Sequence, residues 1–289
     1  MNSNKALDKL STCSLGSKGK LRREEEFHDN WARSIDVDKL LVRESFEAVT
    51  AVENKRALEE LAGLKGKKIL DLGCGAGEAS VYFAIKGADV YAVDISKEML
   101  KKAQELAAKH KVNIKTFNMR SEKLEFEDDY FDFLFGNGVL HHSCLEPAFS
   151  EASRVLKKEG KAVFIEPLGY NPLISIYRKM AKSVRTINET PLKYNDIKIT
   201  KRFFSSVRFE YFWFFSLFIF IYMYIVERIH PSSQRYWKRI ISQSEKYRAL
   251  FRPLNYFDCL LLKVFPFMGR FCWNIVIILE DKIKAPLYG

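Results

Sequence analysis

The chain has 289 residues, 47% hydrophobic and 29% charged, enough length for one large or two small cored domains and a composition that excludes a disordered or fibrous chain. Its 47 basic and 36 acidic side chains leave a net charge of +11 that is unevenly shared: residues 1–175 carry 27 basic and 28 acidic groups, residues 176–289 carry 20 and 8. The excess sits in the half that also holds most of the aromatic residues, so the two halves have different jobs.

Five scattered cysteines (Cys13, Cys74, Cys144, Cys259, Cys272), with no CxxC and no Cys/His cluster, predict a reducing compartment and no structural zinc. The first twenty residues are polar, include Lys5, Lys9, Lys18 and Lys20, and lack the apolar core of a secretory signal. They read as a disordered tail on a cytoplasmic protein.

From Glu44 to Leu61 the apolar spacing (Phe46, Val49, Val52, Leu58, Leu61) predicts a helix ending at Gly63. Short apolar runs then alternate with amphipathic stretches, the pattern of a parallel sheet with crossover helices. The runs are Lys68–Leu72, Asp89–Val93, Ile114–Asn118, Phe131–Gly136 and Lys161–Glu166. A helix capped by Ser96 follows the second run, and another over Glu146–Leu156 closes in a turn at Lys157-Lys158-Glu159-Gly160. Asn171-Pro172 reads as the N-cap and first residue of a helix through Met180. Val207–Trp213 and Trp273–Glu280 are strand-like, and the stretch between them is expected to form a helical insertion, 214–270, before the last core strand at 271–280. Within this region Tyr211–Val226 is sixteen residues without a charge. A spanning helix needs roughly 20, and the Tyr, Phe and Trp content suits a buried lid or a membrane-surface element.

The sharpest local signal is Ile69-Leu70-Asp71-Leu72-Gly73-Cys74-Gly75-Ala76-Gly77-Glu78, an apolar strand running into alternating glycines and then a helix. Glycines let a ligand approach the backbone over the carboxyl end of a strand. A dinucleotide site would space them GxGxxG, whereas here the third glycine comes one residue early. Asp71 at the strand end would repel a pyrophosphate and suits the ammonium of an amino-acid moiety. Asp94 closes the next strand, 23 residues after Asp71, where a carboxylate can accept both hydroxyls of a ribose. The ligand implied is a nucleoside without phosphates.

These residues resemble the class I S-adenosylmethionine-dependent methyltransferases, with the likeness running from Phe27 to Glu166 and nearest to the small-molecule type seen in quinone and natural-product biosynthesis. The resemblance implies an α/β, Rossmann-like sheet of seven strands with its cofactor-binding core over 63–170, a lid segment over 21–62, and a substrate and lid region over 171–289 that includes the last core strand. It places Asp71, Gly73, Cys74, Gly75 and Gly77 around the methionine end of S-adenosylmethionine, Asp94 on the ribose and Ile95 against adenine. Many relatives have an acidic residue after the third strand, where Arg120 stands here, which leaves adenine to Ser121, Glu122 or backbone amides. The tract Phe131–His142 resembles the fourth strand and its loop, which contributes Asn137, and Leu156–Gly160 the turn before strand five. His141 and His142 fall near the methyl group as candidate bases, as does His28 of the segment Glu24–Trp31. Glu166, Tyr170 and Asn171 at the end of strand five are expected on the substrate side.

The function expected is methyl transfer to a small, lipophilic acceptor, at oxygen, without a metal, by an enzyme that can meet an anionic membrane surface. The alternatives are a cofactor-binding adaptor without turnover and a nicotinamide-dependent oxidoreductase. Nucleic acid is disfavoured as a partner, because the aromatic residues are packed together rather than interleaved with Lys and Arg.

Overall fold

The computed structural model describes residues 17–181 and 191–283. A helix, α1 (Ser17–Arg33), precedes a single turn at Glu44–Glu47 and α2 (Val52–Glu60). The core then runs β1 (Lys68–Leu72), α3 (Glu78–Ile85), β2 (Asp89–Asp94), α4 (Lys97–Lys109), β3 (Lys115–Asn118), β4 (Phe131–Asn137), α5 (Leu145–Val155), β5 (Leu156–Pro167) and α6 (Pro172–Met180). After β6 (Phe204–Phe212) come α7 (Phe218–Ile225), α8 (Tyr236–Ser242) and α9 (Ser244–Val264), and β7 (Asn274–Lys282) returns to the sheet.

The seven strands lie in the order β3-β2-β1-β4-β5-β7-β6, parallel except for β7, which is antiparallel to both neighbours. This is the Rossmann-like methyltransferase architecture. The central strands are apolar on both faces because helices cover both. Leu70, Leu72, Ile275 and Ile277 pack on one side with Phe149 and Phe164, while Ile69, Val276 and Ile278 pack on the other with Val81 and Phe83. The strand order reverses between β1 and β4, so the carboxyl ends of these two strands open a crevice. Both the glycine loop and the tract after Asn137 empty into it.

Four local readings change. The helix expected over Glu44–Leu61 breaks at Ala48, whose backbone is extended, and Thr50 instead donates its hydroxyl to the Ile240 carbonyl at 3.0 Å. The turn expected at Leu156–Gly160 belongs to β5: Phe131 pairs with Leu156 and Phe133 with Lys161, so the ladder absorbs the extra residues as an irregularity. Trp213 and Trp273 lie just outside β6 and β7, joined by a 3.0 Å backbone hydrogen bond at the neck of the insertion. The expected tail falls outside the described residues through 16, and Ser17–Lys20 belong to α1.

The uncharged run Tyr211–Val226 divides between the end of β6 and α7. Trp213, Leu217, Ile219, Phe220 and Met223 join Tyr236, Tyr247 and Phe251 in a core of the insertion's own. Among the described residues no helix is long and apolar enough to cross a membrane. Cys74, Cys259 and Cys272 are free thiols, but Cys144 is disulfide-bonded, a pairing that scattered spacing could not announce and that departs from the expected all-reduced set.

Candidate active site

The loop after β1 is built from left-handed backbone: Gly73, Gly75 and Gly77 have φ of +70°, +53° and +88°. Their reasons differ. A Cβ on Gly73 would lie 2.7 Å from Val139 Cγ2, and one on Gly77 would lie 2.7 Å from Ala103 Cβ, so these two glycines admit β4's loop and α4. A Cβ on Gly75 would meet nothing within 4 Å, which leaves that position facing open space. Cys74 turns its side chain into a small core with Ala92 and Leu100.

Asp94 ends β2 and points back to this loop. Its Oδ2 accepts from the Gly75 amide at 2.9 Å and its Oδ1 from the Ser96 amide at 2.8 Å. Burial raises its pKa, against these hydrogen bonds and the nearby His28. Asp71 is buried beneath the loop, takes a hydrogen bond from the Ser80 hydroxyl, and is pushed up to about 7, by burial first and by the charge of Asp94 as a lesser cause. Two carboxylates under a glycine loop repel a phosphate and suit an ammonium and a ribose, so the residues present fit S-adenosylmethionine. Asn118 was not among the expected site residues, although its place at the end of β3 was a signal. Its Nδ2 donates to the carbonyls of Asp94 at 3.1 Å and Ile95 at 2.7 Å, fixing the half-buried Ile95 at the crevice rim.

Helix α1 lies over the same loop, packing Trp31 and Ala32 against Ala76 and Met99. Asp29 Oδ1 accepts from the Ser96 hydroxyl at 2.5 Å, and Ser96 Oγ in turn caps α4 by accepting from the Met99 amide at 3.0 Å. One turn earlier on α1, Glu24 Oε2 approaches His142 Nδ1 to 3.2 Å and His28 Nε2 to 3.9 Å. The ligand atoms of Glu24, His28 and His142 all lie within 4.8 Å of one another, a grouping a divalent cation can join and one that sequence spacing did not reveal. Burial lowers the His28 pKa, against the nearby carboxylates of Asp94 and Glu24.

After β4, Glu166 organises the loop. Its Oε1 accepts from the amides of Val139 at 2.9 Å and Leu140 at 2.7 Å, and its Oε2 lies 2.7 Å from His141 Nδ1. Fully buried, the carboxylate offers no surface to an acceptor. It holds the His141 Nδ1 proton and so leaves Nε2 as the basic nitrogen. The His141 and His142 rings lie 4.1 Å apart and the His28 and His142 rings 5.9 Å apart, so three histidines gather with Glu24 and Glu166.

The other expected residues are engaged elsewhere. Ser121 is buried and bonded to Ser143 Oγ at 2.7 Å, and Glu122 accepts from the Cys144 amide at 2.9 Å, so both fasten the β3 and β4 loops together. Arg120 is exposed. Asn137 reaches Asn54 Oδ1 at 3.2 Å. Asn171 caps α6 through the Ile174 amide at 3.1 Å and donates to the Phe271 carbonyl at 2.6 Å, which occupies its amide at the neck of the insertion. Tyr170 turns to the Tyr194 amide at 3.3 Å. Neither Tyr170 nor Asn171 joins the histidine cluster.

Known proteins give the same fold, and a family match over residues 70–164. Residues 70–164 match the methyltransferase domain family. The chain is 32% identical over 120 residues to YodH, an uncharacterized methyltransferase of Bacillus subtilis, covering 42% of this chain and 52% of that one. It is 37% identical over 119 residues to a demethylmenaquinone methyltransferase of Chlorobaculum tepidum, covering 40% and 48%. The solved structure of a S-adenosylmethionine-dependent methyltransferase from Thermotoga maritima superposes with a TM-score of 0.53 at 17% identity, covering 91% of this chain and 100% of the other, and shares its fold. The chain spans about half the length of the curated relatives it matches. Residues 70–164 are a class I methyltransferase domain. The cofactor of that domain is S-adenosylmethionine.

Proposed function

We propose that the protein transfers the methyl group of S-adenosylmethionine to an oxygen of a small, lipophilic acceptor, with His141 as general base. The observation that carries this reading is the meeting of two loops: the glycine loop, whose Gly75 is open and held by Asp94, packs through Gly73 against Val139 of the loop bearing the His141–Glu166 pair. When bound, the cofactor supplies a methyl group already activated on a sulfonium, so the chain's task is alignment and exclusion of water. Asp94 and the glycine loop hold the nucleoside, α1 covers it, and His141 Nε2 takes the acceptor proton as the oxygen attacks the methyl carbon. Glu166 holds the resulting imidazolium in place.

The lipophilic acceptor is supported by the insertion. Between residues 214 and 272 it carries nine basic and three acidic groups. Its surface exposes Phe218, Tyr224, Ile225, Tyr256, Phe257, Leu260, Val264, Phe265 and Phe267. Large apolar side chains beside an excess of cations suit the interface of an anionic bilayer, so the protein works as a peripheral membrane enzyme. Incubation with radiolabelled S-adenosylmethionine and separate lipid and aqueous extracts tests the whole reading. Label passing into an organic-soluble, base-resistant product supports it; label entering only the aqueous fraction overturns the lipophilic acceptor, and no transfer at all overturns the enzyme.

A further inference from the structure

The insertion carries a cavity of about 230 Å³ lined by Gln234, Arg235, Lys238, Arg239, Ser242 and Gln243. Its place in the fold is specific. On one side the Arg235 guanidinium stacks 3.8 Å over the ring of Trp31 on α1, and its charge reaches His28. On another, Lys238 acts electrostatically on Glu78, the first residue of α3 after the glycine loop. The Thr50 hydroxyl fixes α8 from beneath through the Ile240 carbonyl. The cavity therefore lies on the insertion at α8, beside the lid helix α1 and close enough to the glycine loop for Lys238 to act on Glu78.

The lining contains three cations, two amides and a hydroxyl, and no carboxylate. Arg239 is already neutralised by Glu227 at 3.2 Å and supported by the Tyr247 hydroxyl at 3.1 Å. Lys238, half-buried, makes no side-chain hydrogen bond or ion pair among the described residues. Like charges gathered in a partly enclosed space repel, and an anion between them reverses the sign of that interaction. Donors of several kinds converging from one helix face also suit a group with more than two acceptor oxygens.

We infer that this cavity binds a phosphate-type anion carried by the methyl acceptor, so that the acceptor is an anionic molecule anchored at Lys238 with its nucleophile reaching into the crevice. The inference rests on the methyltransferase reading for the word acceptor, but the anion site can be tested without turnover. Calorimetry on the full chain would compare dihexanoyl phosphatidate, inorganic phosphate and, as an independent readout, S-adenosylhomocysteine. Binding of the phosphate probes is expected to weaken about 10-fold or more in Lys238→Ala and to vanish in Lys238→Glu, with S-adenosylhomocysteine affinity unchanged in both. Phosphatidate binding at least about 10-fold tighter than inorganic phosphate assigns the anion to a lipid headgroup, and equal affinities assign it to a water-soluble phosphate; both support the site. Failure of both probes to bind, or binding indifferent to the two Lys238 substitutions, overturns it. Failure of the wild-type protein to bind S-adenosylhomocysteine would instead overturn the methyltransferase reading, while the phosphate titrations would still decide the anion site.

Discussion

Glu166 and His141 meet through a 2.7 Å contact between carboxylate and imidazole, and the second oxygen of the same carboxylate holds two backbone amides of the loop that carries the histidine. One side chain thus sets both the path of the loop and the tautomer of its candidate base. The two jobs separate by substitution. His141→Ala is expected to lower turnover about 100-fold with cofactor affinity within a few-fold, because only the proton acceptor is lost. Glu166→Gln keeps an oxygen for the amides but gives up the charge that supports the imidazolium, so turnover falls while the fold holds. Glu166→Ala leaves the amides unpaired and costs about 2–5 kcal/mol of stability by denaturant titration. Full turnover in His141→Ala would remove it as the base.

The three glycines of the loop are predicted to fail differently. Gly77→Ala drives a methyl group against the backbone of α4, 2.9 Å from Ala103 Cα, on top of a left-handed φ, and should destabilise the fold by about 2 kcal/mol or more. Gly75→Val meets no protein atom near its Cβ, so its stability cost is confined to the backbone, about 1–2 kcal/mol, while cofactor binding is lost to occlusion. Thermal melts paired with calorimetry check this. Normal cofactor affinity in Gly75→Val would place the ligand elsewhere.

In the proposed function, Asp71 gives cofactor binding a pH dependence of defined sign. Its carboxyl is pushed up to about 7 by burial, well above an unfolded carboxyl near 3.8. Its contribution to the stability of the empty protein is therefore fully present below the unfolded value and is lost as pH rises through about 7. A bound ammonium favours the ionised form and reverses this trend, so S-adenosylhomocysteine should bind more tightly as pH rises from about 5.5 to about 7.5, with proton release. Asp71→Asn should flatten the profile. A wild-type affinity independent of pH in that range would exclude contact between Asp71 and the ammonium.

The sheet and the glycine loop were legible because their signals are local. β1 and its glycines form one uninterrupted stretch, and Ser96 caps α4 three residues from the amide it bonds. The histidine cluster was legible only in part. His141 and His142 lie in a recognisable tract, but the partners that give them a role arrive from Glu166 and Glu24, 25 residues later and more than a hundred earlier. Asn171 shows the converse. Its position at the end of β5 suggested the substrate side, and only the fold reveals that its amide is taken by the Phe271 carbonyl. The break in the helix over Glu44–Leu61 was likewise invisible, because Thr50 bonds a carbonyl 190 residues away.

The uncharged run Tyr211–Val226 is not the whole of the exposed apolar surface. Trp213 is buried, and Ile219, Phe220 and Met223 of α7 pack into the insertion's core while Phe218, Tyr224 and Ile225 stay exposed. The Asp258 carboxylate receives the Phe215 amide at 2.5 Å and the Ser216 hydroxyl at 2.7 Å, while Tyr222 lies against Tyr247, so α7 runs antiparallel to α9. A second exposed apolar set, Tyr256, Phe257, Leu260 and Val264, lies on the second half of α9 and continues through Phe265 and Phe267. Lys263 and Arg270 flank them and, like other cations near a bilayer, add about 1 kcal/mol each toward anionic lipid. Co-sedimentation with phosphatidylglycerol vesicles should therefore be strong at low salt and fall at 1 M, where the screening length drops from about 10 Å at 0.1 M to about 3 Å. A Phe257→Ser, Leu260→Ser, Phe267→Ser variant should lose sedimentation yet keep its affinity for S-adenosylhomocysteine, since none of the three touches the crevice residues. Sedimentation of that variant equal to wild type would reject α9 as the bilayer-facing surface, and absence of sedimentation in the wild-type protein would reject membrane association itself.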